Sequence, residues 1–459
     1  MTEQTPKNAR EAAVLALLAV EQGAFSELAI AKYGEAANLS PRDMALAAKL
    51  VYGTLQNRYL CDFYIAAYSS LRLKKIQPSV RLVLETAVYQ IVFLDKIPDS
   101  AAVNESVALL RRLRLGGKAA AGFANGVLRS IVREKERLPV LNCATKEEYY
   151  SKQYSHPLWM VEAFVRQFGR EQTKAFLAEN NRTAPVCLRI NALKTTPEEV
   201  QRVLTEMGVA FAPHPAMENL LLCGSAGSVL ASPLFSKGYV TVQDGASMTA
   251  VEALSPAPGE FVLDCCASPG GKSFYMSERM KNTGTILACD ILERKLEPIR
   301  QGALRLGVTN LETRRMDATV PEESLFSAAD CVLCDVPCSA LGIIRKKPEI
   351  RYKTEEALAK LPETQRNILN NAARYVKPGG TLVYSTCTVL ERENLAVVRS
   401  FLKENREFCL KPFVSRAAGP TPGYITLLPN LHNTDGFFVA KLERMDYDGK
   451  NRNQDLDNG

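Results

Sequence analysis

Two cysteines of this chain have the side chains and the setting that covalent chemistry on a nucleobase requires. Cys338 ends the segment 335–338 (Asp-Val-Pro-Cys), and Cys387 lies within the segment 384–388 (Tyr-Ser-Thr-Cys-Thr). Each closes an apolar run that is typical of a buried strand. A thiolate is a strong nucleophile, and its bond to carbon can be reversed. Two thiols that end consecutive strands of one sheet therefore predict addition to a base followed by release.

The pair of thiols suits a cytosine ring. Carbon 5 of cytosine is not nucleophilic by itself, but addition of a thiolate at carbon 6 makes carbon 5 enamine-like, so that it can attack an electrophilic methyl group. A base must then remove the carbon-5 proton so that the thiolate can leave, and the second cysteine can assist that step. Asp335 is placed to hydrogen-bond the cytosine edge. The residues alone do not decide which cysteine is the nucleophile.

Other uses of the cysteines fit the sequence less well. Both could be small buried hydrophobic side chains, but Pro337 directly before Cys338 ends the strand and forces an exposed turn. Cys331 and Cys334 have the spacing of half a zinc site. The chain has no second Cys-x-x-Cys, and its three histidines are scattered. We therefore expect buried thiols at this pair and no bound metal.

A glycine-rich turn precedes both cysteines and predicts a nucleotide-like ligand. Residues 264–272 (Asp-Cys-Cys-Ala-Ser-Pro-Gly-Gly-Lys) follow the first strand, and their glycines let the backbone approach a ligand before a helix begins. The residues Gly-Lys-Ser at 271–273 also match the end of a phosphate-binding loop. That loop needs a glycine where this chain has Cys266, so a triphosphate site is the weaker alternative.

Acidic residues at the ends of the next two strands favour an adenosine ligand. Asp290 lies about 20 residues beyond the glycines, where a carboxylate accepts hydrogen bonds from ribose hydroxyls. Asp317 ends the third strand, in position to meet an adenine amino group. Each aspartate alone could be a helix cap, but three in register at successive strand ends are hard to explain as caps. The predicted cofactor-binding residues are Cys266, Ala267, Ser268, Pro269, Gly270, Gly271, Lys272, Asp290, Asp317 and Asp335.

The composition is that of a globular protein with several domains. The 459 residues are too many for one core, so we expect two or three domains. Lys and Arg number 57 against 50 Asp and Glu, and the net charge of +7 permits a nucleic-acid partner without requiring one. The apolar run at 12–20 is too short to span a membrane, and the first residues lack a signal-peptide profile. These features predict a cytoplasmic protein with reduced thiols and no membrane partner.

The first third of the chain predicts an all-helical bundle. Apolar residues recur there at helical spacing, and short breaks rich in Pro, Ser and Gly separate the stretches. The predicted helical stretches are 12–31, 44–51, 59–67, 80–94, 101–113 and 121–132. The segment 138–152 then loses the periodicity and carries a proline and an asparagine, which indicates a linker.

The rest of the chain alternates strands and helices. Between 187 and 223 the order is strand, helix, strand, with Thr196 as the helix N-cap and Pro197 as its first residue. This pattern indicates a small α/β module. The regular alternation beyond it predicts a Rossmann-like, mostly parallel sheet of seven strands with helices on both faces. The predicted strands are 261–265, 285–290, 311–316, 331–336, 381–385, 408–411 and 436–441, and the main helices are 272–280, 293–306, 355–375 and 394–403.

The motifs together resemble one enzyme family. The turn at 264–272 is similar to the S-adenosylmethionine loop of the RsmB branch of the Sun/Nop family of RNA 5-methylcytosine methyltransferases. The segments 335–339 and 385–388 resemble the family's release and nucleophile motifs, and 239–244 and 435–438 resemble its framing motifs. The family's usual Ala-Ala-Pro-Gly-Gly-Lys reads Ala-Ser-Pro-Gly-Gly-Lys here, a small change that leaves cofactor binding expected.

The resemblance implies a cofactor and a role for each cysteine. It implies S-adenosylmethionine as the methyl donor, Cys387 as the nucleophile and Cys338 as the residue that assists release. DNA cytosine methyltransferases instead use the earlier Pro-Cys as the nucleophile and lack the second cysteine. Only the resemblance, and not the residues themselves, separates these two assignments.

The helical bundle resembles the NusB antitermination domain. The matching segments are 89–90, 97–98, 104–107 and 125–129. Within the family, this domain marks the branch that acts on 16S ribosomal RNA, so the resemblance implies a cytosine of that RNA, cytosine 967, as the target. A stacked base cannot reach a thiolate, so the cytosine must be single-stranded or flipped out.

These inferences predict three domains and a set of RNA contacts. We expect a NusB-like helical RNA-binding domain at 1–140, linker helices with a small α/β RNA-binding module at 141–235, a methyltransferase domain at 236–445, and a disordered tail at 446–459. A monomer is expected. The predicted RNA-binding residues lie in a basic loop after the Cys338 motif and in the small module: Arg345, Lys346, Lys347, Arg351, Arg189 and Asn191.

Two other classes of function stay open at this stage. A non-catalytic RNA-binding or antitermination factor could be built on the bundle, but such a factor needs none of Cys387, Cys338 and Asp290. A cytosine methyltransferase that acts on DNA or on another RNA is the second alternative. Equal methylation of duplex DNA would support it.

Overall fold

The computed structural model describes residues 5–224 and 227–446, and the chain divides into two compact units. The first unit contains the chain up to Thr183 together with Ile344–Thr354, and the second contains the rest. The helices that we grouped with the small α/β module therefore pack with the bundle instead. The domain boundaries at 140 and 235 stay predictions, and the predicted disordered tail lies outside the described residues from position 447 onward.

The first unit is built from helices. Its α-helices within the described residues are α1 (Ala9–Glu21), α2 (Ser26–Ala36), α3 (Pro41–Tyr68), α4 (Pro78–Phe93), α5 (Asp99–Arg112), α6 (Ala120–Arg133), α7 (Lys146–Gln153), α8 (Leu158–Phe168) and α9 (Arg170–Glu179). The stretch predicted at 12–31 is two helices, because the chain turns at Gly23 with φ +95°. The stretches predicted at 44–51 and 59–67 are joined in α3, which has a kink at Asn57.

Helix α4 lies at the centre of the bundle. Its residues from Leu82 to Ile91 are all buried, which explains why its sequence is apolar on every side. The one charged residue of this stretch is Glu85, whose fully buried carboxylate forms ion pairs with Arg58 Nε at 2.9 Å and Arg81 Nε at 3.0 Å. Two arginines thus compensate the one buried carboxylate.

The segment 344–354 is held in the first unit by a buried arginine. Arg351 has no exposed surface, and its guanidinium donates to the main-chain oxygens of Gln56 and Tyr154 at 3.2 Å and to Asn181 Oδ1 at 2.9 Å. The two terminal nitrogens of the guanidinium are thus bound inside the protein. The prediction that Arg351 contacts RNA is therefore corrected, since its role is to fasten this segment to α3 and to the turns beside α7 and α9.

The other basic residues of this loop are also wholly or partly buried. The Arg345 side chain is only 3% exposed and pairs with Glu179 at 3.3 Å, which corrects its assignment to RNA as well. Lys347 is half-buried, with its ammonium 5.1 Å from the ring centroid of Phe25, and Lys346 is half-buried too. RNA contact by these two lysines stays a prediction.

The second unit combines two sheets with covering helices. Its strands are β1 (Val186–Ile190), β2 (Phe211–Pro213), β3 (Leu220–Cys223), β4 (Val240–Val242), β5 (Phe261–Asp264), β6 (Thr285–Asp290), β7 (Leu311–Arg315), β8 (Ala329–Asp335), β9 (Val376–Thr386), β10 (Phe408–Leu410), β11 (Phe413–Ser415), β12 (Gly419–Thr421), β13 (Tyr424–Leu427) and β14 (Phe437–Arg444). Its α-helices are α10 (Pro197–Glu206), α11 (Gly227–Leu230), α12 (Pro233–Ser236), α13 (Gly245–Leu254), α14 (Gly271–Arg279), α15 (Leu296–Leu306), α16 (Glu355–Leu358), α17 (Leu361–Tyr375), α18 (Leu395–Glu404) and α19 (Pro429–His432).

The smaller sheet has the order β2-β3-β1-β4, and all its pairings are antiparallel. Helix α10 begins as predicted, with the Thr196 hydroxyl accepting from Glu199 N and Pro197 in the first turn. It buries Val200 and Leu204 against the apolar face of the sheet. The prediction of a small α/β module is confirmed, although the short strands β2 and β4 were missed.

The larger sheet has the order β10-β14-β9-β8-β5-β6-β7, with β13 paired to β14 as an eighth strand. Strands β5 to β9 are parallel to one another, and β14, β10 and β13 add antiparallel pairings. The predicted mostly parallel sheet is confirmed, because the seven predicted strands all form. Apolar strands buried on both faces explain why the sequence pattern was clear.

Two residues that we assigned to RNA instead bind the small module to the larger sheet. Arg189, on β1, is completely buried, pairs with Glu278 of α14 and stacks 4.9 Å from the ring centroid of Tyr275. Asn191 is also completely buried and donates from Nδ2 to the main-chain oxygens of Gly238 and Leu306, at 2.8 Å each. Both assignments to RNA are corrected, because neither side chain reaches solvent.

Within the described residues, no helix combines the length and the apolar character needed to cross a membrane. In the same residues, no group of three or more His, Cys, Asp or Glu side chains is arranged to hold a metal ion. Cys331 and Cys334, which have the spacing of half a zinc site, both lie buried on β8. Cys331 Sγ lies 3.5 Å from Glu260 Oε2.

The buried ion pair generates a stability prediction. Replacement of Arg189 by alanine leaves the Glu278 carboxylate buried without its cation, so we expect the free energy of unfolding to fall by about 3–5 kcal/mol. Urea unfolding monitored by circular dichroism measures the loss. The control is Arg202→Ala on the exposed face of α10, whose pair with Glu206 is solvated and should contribute about 1 kcal/mol or less. Equal losses in the two variants would contradict a structural role for Arg189.

Candidate active site

The residues predicted to take part in the chemistry lie at the carboxyl ends of the parallel strands, at one edge of the larger sheet. Strand register places Asp264 of β5 beside Leu333 of β8, and Asp335 of β8 beside Ser385 of β9. Asp290 ends the neighbouring strand β6. Parallel strands present their carboxyl ends on the same side, which is where such sheets bind ligands.

The two cysteines meet at this edge. Cys338 Sγ and Cys387 Sγ are 3.1 Å apart, within hydrogen-bond distance for sulfur, and both residues are partly exposed. The hydrogen bond that the Cys338 thiol donates to Cys387, together with burial, raises the pKa of Cys338 well above its usual range. The negative charge of Glu393 acts in the same direction. Cys338 is therefore a thiol at neutral pH.

A lysine from the glycine-rich turn faces the same place. Lys272 Nζ pairs with Asp335 Oδ2 at 2.5 Å, and Ser385 Oγ donates to Asp335 Oδ1 at 2.9 Å. Burial lowers the pKa of Lys272, but the charge of Asp335 and the hydrogen bond to it outweigh burial, so that the pKa is raised. A negative charge on Cys387 also raises it, which places the Lys272 ammonium within electrostatic reach of that sulfur.

The glycine-rich turn has the backbone that its sequence predicted. Gly270 has φ +100°, a conformation that residues with a side chain rarely adopt, and an added Cβ would lie 2.5 Å from the ring of Phe274. Helix α14 then begins at Gly271. The turn thus brings the bare amino-terminal end of a helix to the edge of the sheet beside Asp264.

Asp264 has an unused hydrogen-bonding atom beneath this turn. One of its oxygens accepts from Ser273 Oγ at 2.6 Å, whereas Oδ1 is buried and has no partner in the structure. Burial raises the pKa of Asp264 to about 6, and the hydrogen bond from Ser273 opposes this shift. A buried acceptor without a partner is uncommon in a folded protein, and it fits a site that a polar ligand completes.

The other two predicted cofactor aspartates differ in burial. Asp290 is buried; its Oδ1 accepts from Leu292 N at 3.0 Å, and Oδ2 lies 3.4 Å from Lys295 Nζ. Asp317 is half-buried, and its Oδ1 accepts from the amide and hydroxyl of Thr319. Asp317 therefore caps the turn that follows β7, and binding of adenine by it stays a prediction.

Sequence reasoning missed a set of buried polar residues behind the two cysteines. Glu393 and Asn394 lie in the turn that follows Cys387, and Gln365 lies on α17; all three are buried. Their side chains bind the main chain on either side of the two thiols. The signal available in the sequence was a polar Glu-Asn pair directly before the apolar helix α18.

Comparison with known families matches three parts of the chain. Residues 251–443 match the 16S rRNA methyltransferase RsmB/F family, residues 7–133 match the NusB family, and residues 156–229 match the ferredoxin-like domain of RsmF/B-like methyltransferases. The methyltransferase match contains the glycine-rich turn, all four aspartates of the site and both cysteines. The NusB match covers the bundle from α1 to α6.

Solved structures with this architecture include the crystal structure of PH0851. It has a TM-score of 0.82 and 28% sequence identity, with 96% of this chain and 99% of that chain covered. NSun6 from Pyrococcus horikoshii, crystallised with SFG, has a TM-score of 0.55 and 21% identity over 66% of this chain and 98% of its own, and is alike in fold.

Curated relatives cover nearly the whole chain. The probable ribosomal RNA small subunit methyltransferase B of Bacillus subtilis is 34% identical over 95% of this chain and 98% of its own length. The ribosomal RNA small subunit methyltransferase B of Vibrio cholerae is 33% identical over 88% of this chain and 91% of its own. Identity at this level over all three parts of the chain establishes the relationship. The chain therefore belongs to the ribosomal RNA small subunit methyltransferase B family.

Proposed function

We propose that this protein transfers a methyl group from S-adenosylmethionine to carbon 5 of a cytosine in 16S ribosomal RNA, with cytosine 967 as the target in the family. The observation that carries the proposal is the 3.1 Å approach of Cys338 Sγ to Cys387 Sγ at the ligand-binding edge of the sheet. Addition to carbon 6 and removal of the carbon-5 proton are two steps at adjacent atoms of one ring. Two thiols in contact can serve both steps on the same bound base.

The residues of the glycine-rich turn suit the cofactor. The turn at 266–272 and Asp264 would surround its methionine part, and Asp290 would accept from the ribose hydroxyls. The buried, unpartnered Oδ1 of Asp264 supports this fit, because it offers an acceptor to a polar ligand group. When bound, S-adenosylmethionine supplies an electrophilic methyl group.

The surroundings of the two sulfurs support Cys387 as the nucleophile. The Lys272 ammonium lies within electrostatic reach of Cys387 and would stabilise its thiolate. The pKa of Cys338 is raised by its hydrogen bond to Cys387, by burial and by the charge of Glu393, so that Cys338 is a thiol before the reaction begins. A thiol with a high pKa is a poor initial nucleophile, but its thiolate is a strong base. Cys338 is partly exposed, so its own proton can pass to solvent, and the resulting thiolate would then take the carbon-5 proton so that the Cys387–carbon-6 bond can break.

Asp335 is oriented to recognise the base. Lys272 and Ser385 hold its two carboxylate oxygens, which fixes the plane of the carboxylate at the mouth of the site. Each oxygen keeps a free lone pair that can accept from the amino group of cytosine. The base would enter single-stranded or flipped out of its stack, and the protein would act as a monomer in the cytoplasm.

The two cysteine roles predict opposite outcomes for two variants. Cys387→Ala should abolish both methylation and the protein–RNA adduct, because no nucleophile remains. Cys338→Ala should accumulate an adduct that survives denaturation, because the carbon-5 proton is not removed and the Cys387 bond persists. Incubation with unmodified small-subunit RNA and labelled S-adenosylmethionine, followed by a denaturing gel, measures both.

A matched control is Cys409→Ala, which removes a partly buried thiol on β10 outside the site and should leave turnover unchanged. An adduct in the Cys387 variant would reverse the assignment of the two cysteines. Absence of methyl transfer to the RNA by the unaltered protein would favour the antitermination-type binding factor instead.

The assignment of Asp290 to the ribose predicts a loss of cofactor affinity. Asp290→Ala removes a charged acceptor, so the dissociation constant of S-adenosylmethionine should rise by roughly 10–100-fold, the effect of one or two charge-assisted hydrogen bonds. Isothermal titration calorimetry with the cofactor alone measures this change. Glu293→Ala, an exposed carboxylate in the turn after β6, is the control and should bind as the unaltered protein does. Equal affinity of the two variants would sink the assignment.

A further inference from the structure

A buried glutamate holds the main chain on both sides of Cys338. Glu393 Oε2 accepts from Ser339 N, the residue after Cys338, at 2.8 Å, and from Gln365 Nε2 at 2.9 Å. The same Gln365 nitrogen donates to the main-chain oxygen of Pro337, the residue before Cys338, at 3.0 Å. One carboxylate therefore fixes both neighbours of this cysteine, one directly and one through an amide.

The next residue does the same for the other cysteine. Asn394 Oδ1 accepts from the hydroxyl of Thr386, the residue before Cys387, at 2.6 Å. Its Nδ2 donates to the main-chain oxygen of Thr388, the residue after Cys387, at 3.0 Å. Asn394 is only 1% exposed, so water does not compete for these bonds.

The two halves of this arrangement are joined to each other. Ser339 Oγ donates to Thr388 Oγ1 at 2.7 Å, which links the chain after Cys338 to the chain after Cys387. Tyr384 OH donates to the main-chain oxygen of Glu393 at 2.5 Å and fixes the turn against β9. The residues of this network are buried behind the two thiols, so it has little freedom to change the distance between them.

We propose that Glu393 and Asn394 are a two-residue clamp that positions the two thiols, with Glu393 setting the release cysteine, Cys338, and Asn394 setting the nucleophile, Cys387. The inference rests on the proposed function, because it divides the two steps of that reaction between two adjacent residues. Neither residue touches the base. Each acts through the main chain that flanks one sulfur.

The charge of Glu393 adds a second effect on Cys338. Its Oε1 is buried and has no partner in the structure, so the charge is poorly screened. Two titratable groups act on the Cys338 thiol: Cys387, in the loop after β9, and Glu393, in the turn before α18. A charge on Cys338 in turn raises the pKa of Tyr384 on β9. A carboxylate on this side keeps Cys338 basic, which suits removal of a proton from carbon.

The test separates adduct release from adduct formation. Glu393→Ala should behave like Cys338→Ala, with the denaturation-resistant adduct at least tenfold above that of the unaltered protein at steady state. Asn394→Ala, measured in the Cys338→Ala background where the adduct is trapped, should form the adduct at least tenfold more slowly. If the two substitutions only disturbed the local fold, both variants would show the same defect, and not a release defect in one and a formation defect in the other. Glu391→Ala is the control, because it removes an exposed carboxylate from the same turn and should alter neither step.

A conservative variant separates geometry from charge. Glu393→Gln keeps an oxygen that can accept from Ser339 and Gln365, so it should restore release to within about threefold of the unaltered protein. Because it removes the negative charge beside Cys338, the pKa of the thiol should fall. The pH limb of adduct release should then move to lower pH by about one unit. An unchanged limb would show that the carboxylate does not act on Cys338.

The outcomes also separate this inference from the function on which it rests. If Cys338→Ala forms no adduct, the proposed function fails. If Cys338→Ala traps the adduct but Glu393→Ala releases it at the normal rate, only the clamp fails. Thermal unfolding checks that the variants fold. Should Glu393→Ala not fold, Gln365→Ala takes its place, since it removes the donor to Pro337, and normal release by that variant would overturn the clamp.

Discussion

The parallel pairing of β8 with β9 is the constraint on which the site depends. Its register places Asp335 opposite Ser385, so the two chains leave the sheet side by side and in the same direction. Cys338 and Cys387 follow within a few residues, and their sulfurs come to 3.1 Å. Side chains alternate between the faces of a strand, so a shift of one residue would turn Asp335 away from Ser385 and Lys272. The register therefore determines both the contact between the two thiols and the ion pair of Asp335 with Lys272 beside them.

Much of this edge could be predicted because strand ends carry a clear signal. Apolar runs buried on both faces mark the parallel strands, and the first polar or reactive residue after each run must lie at the carboxyl edge. This logic predicts that Asp264, Asp290, Asp335 and both cysteines lie at one edge of the sheet. The glycine-rich turn was equally legible, because Gly270 occupies a backbone conformation that few other residues adopt.

The errors have a common physical cause. Arg189 and Arg351 were assigned to RNA because they are basic, yet charge does not reveal burial. The partner of Arg189 is Glu278 on a distant helix, and Arg351 is held mainly by main-chain oxygens, which leave no trace in a sequence. Glu393 escaped notice for the same reason, since its partners become neighbours only after the sheet has formed. Polar residues that are buried and paired inside a fold are thus the hardest to tell from those that bind a ligand.

Two chemically identical thiols in contact can divide one reaction only if their surroundings differ. The sulfur of Cys387 lies in the field of the Lys272 ammonium, whereas that of Cys338 lies in the field of the Glu393 carboxylate. In a partly buried site these fields are weakly screened, so the charge of Glu393 contributes to the raised pKa of Cys338, whereas Cys387 has a positive charge within electrostatic reach. The residues alone left the order of the cysteines open. The opposite charges give the proposed order a physical basis, because a cation beside one sulfur favours attack by that sulfur and a raised pKa on the other suits the final removal of a proton.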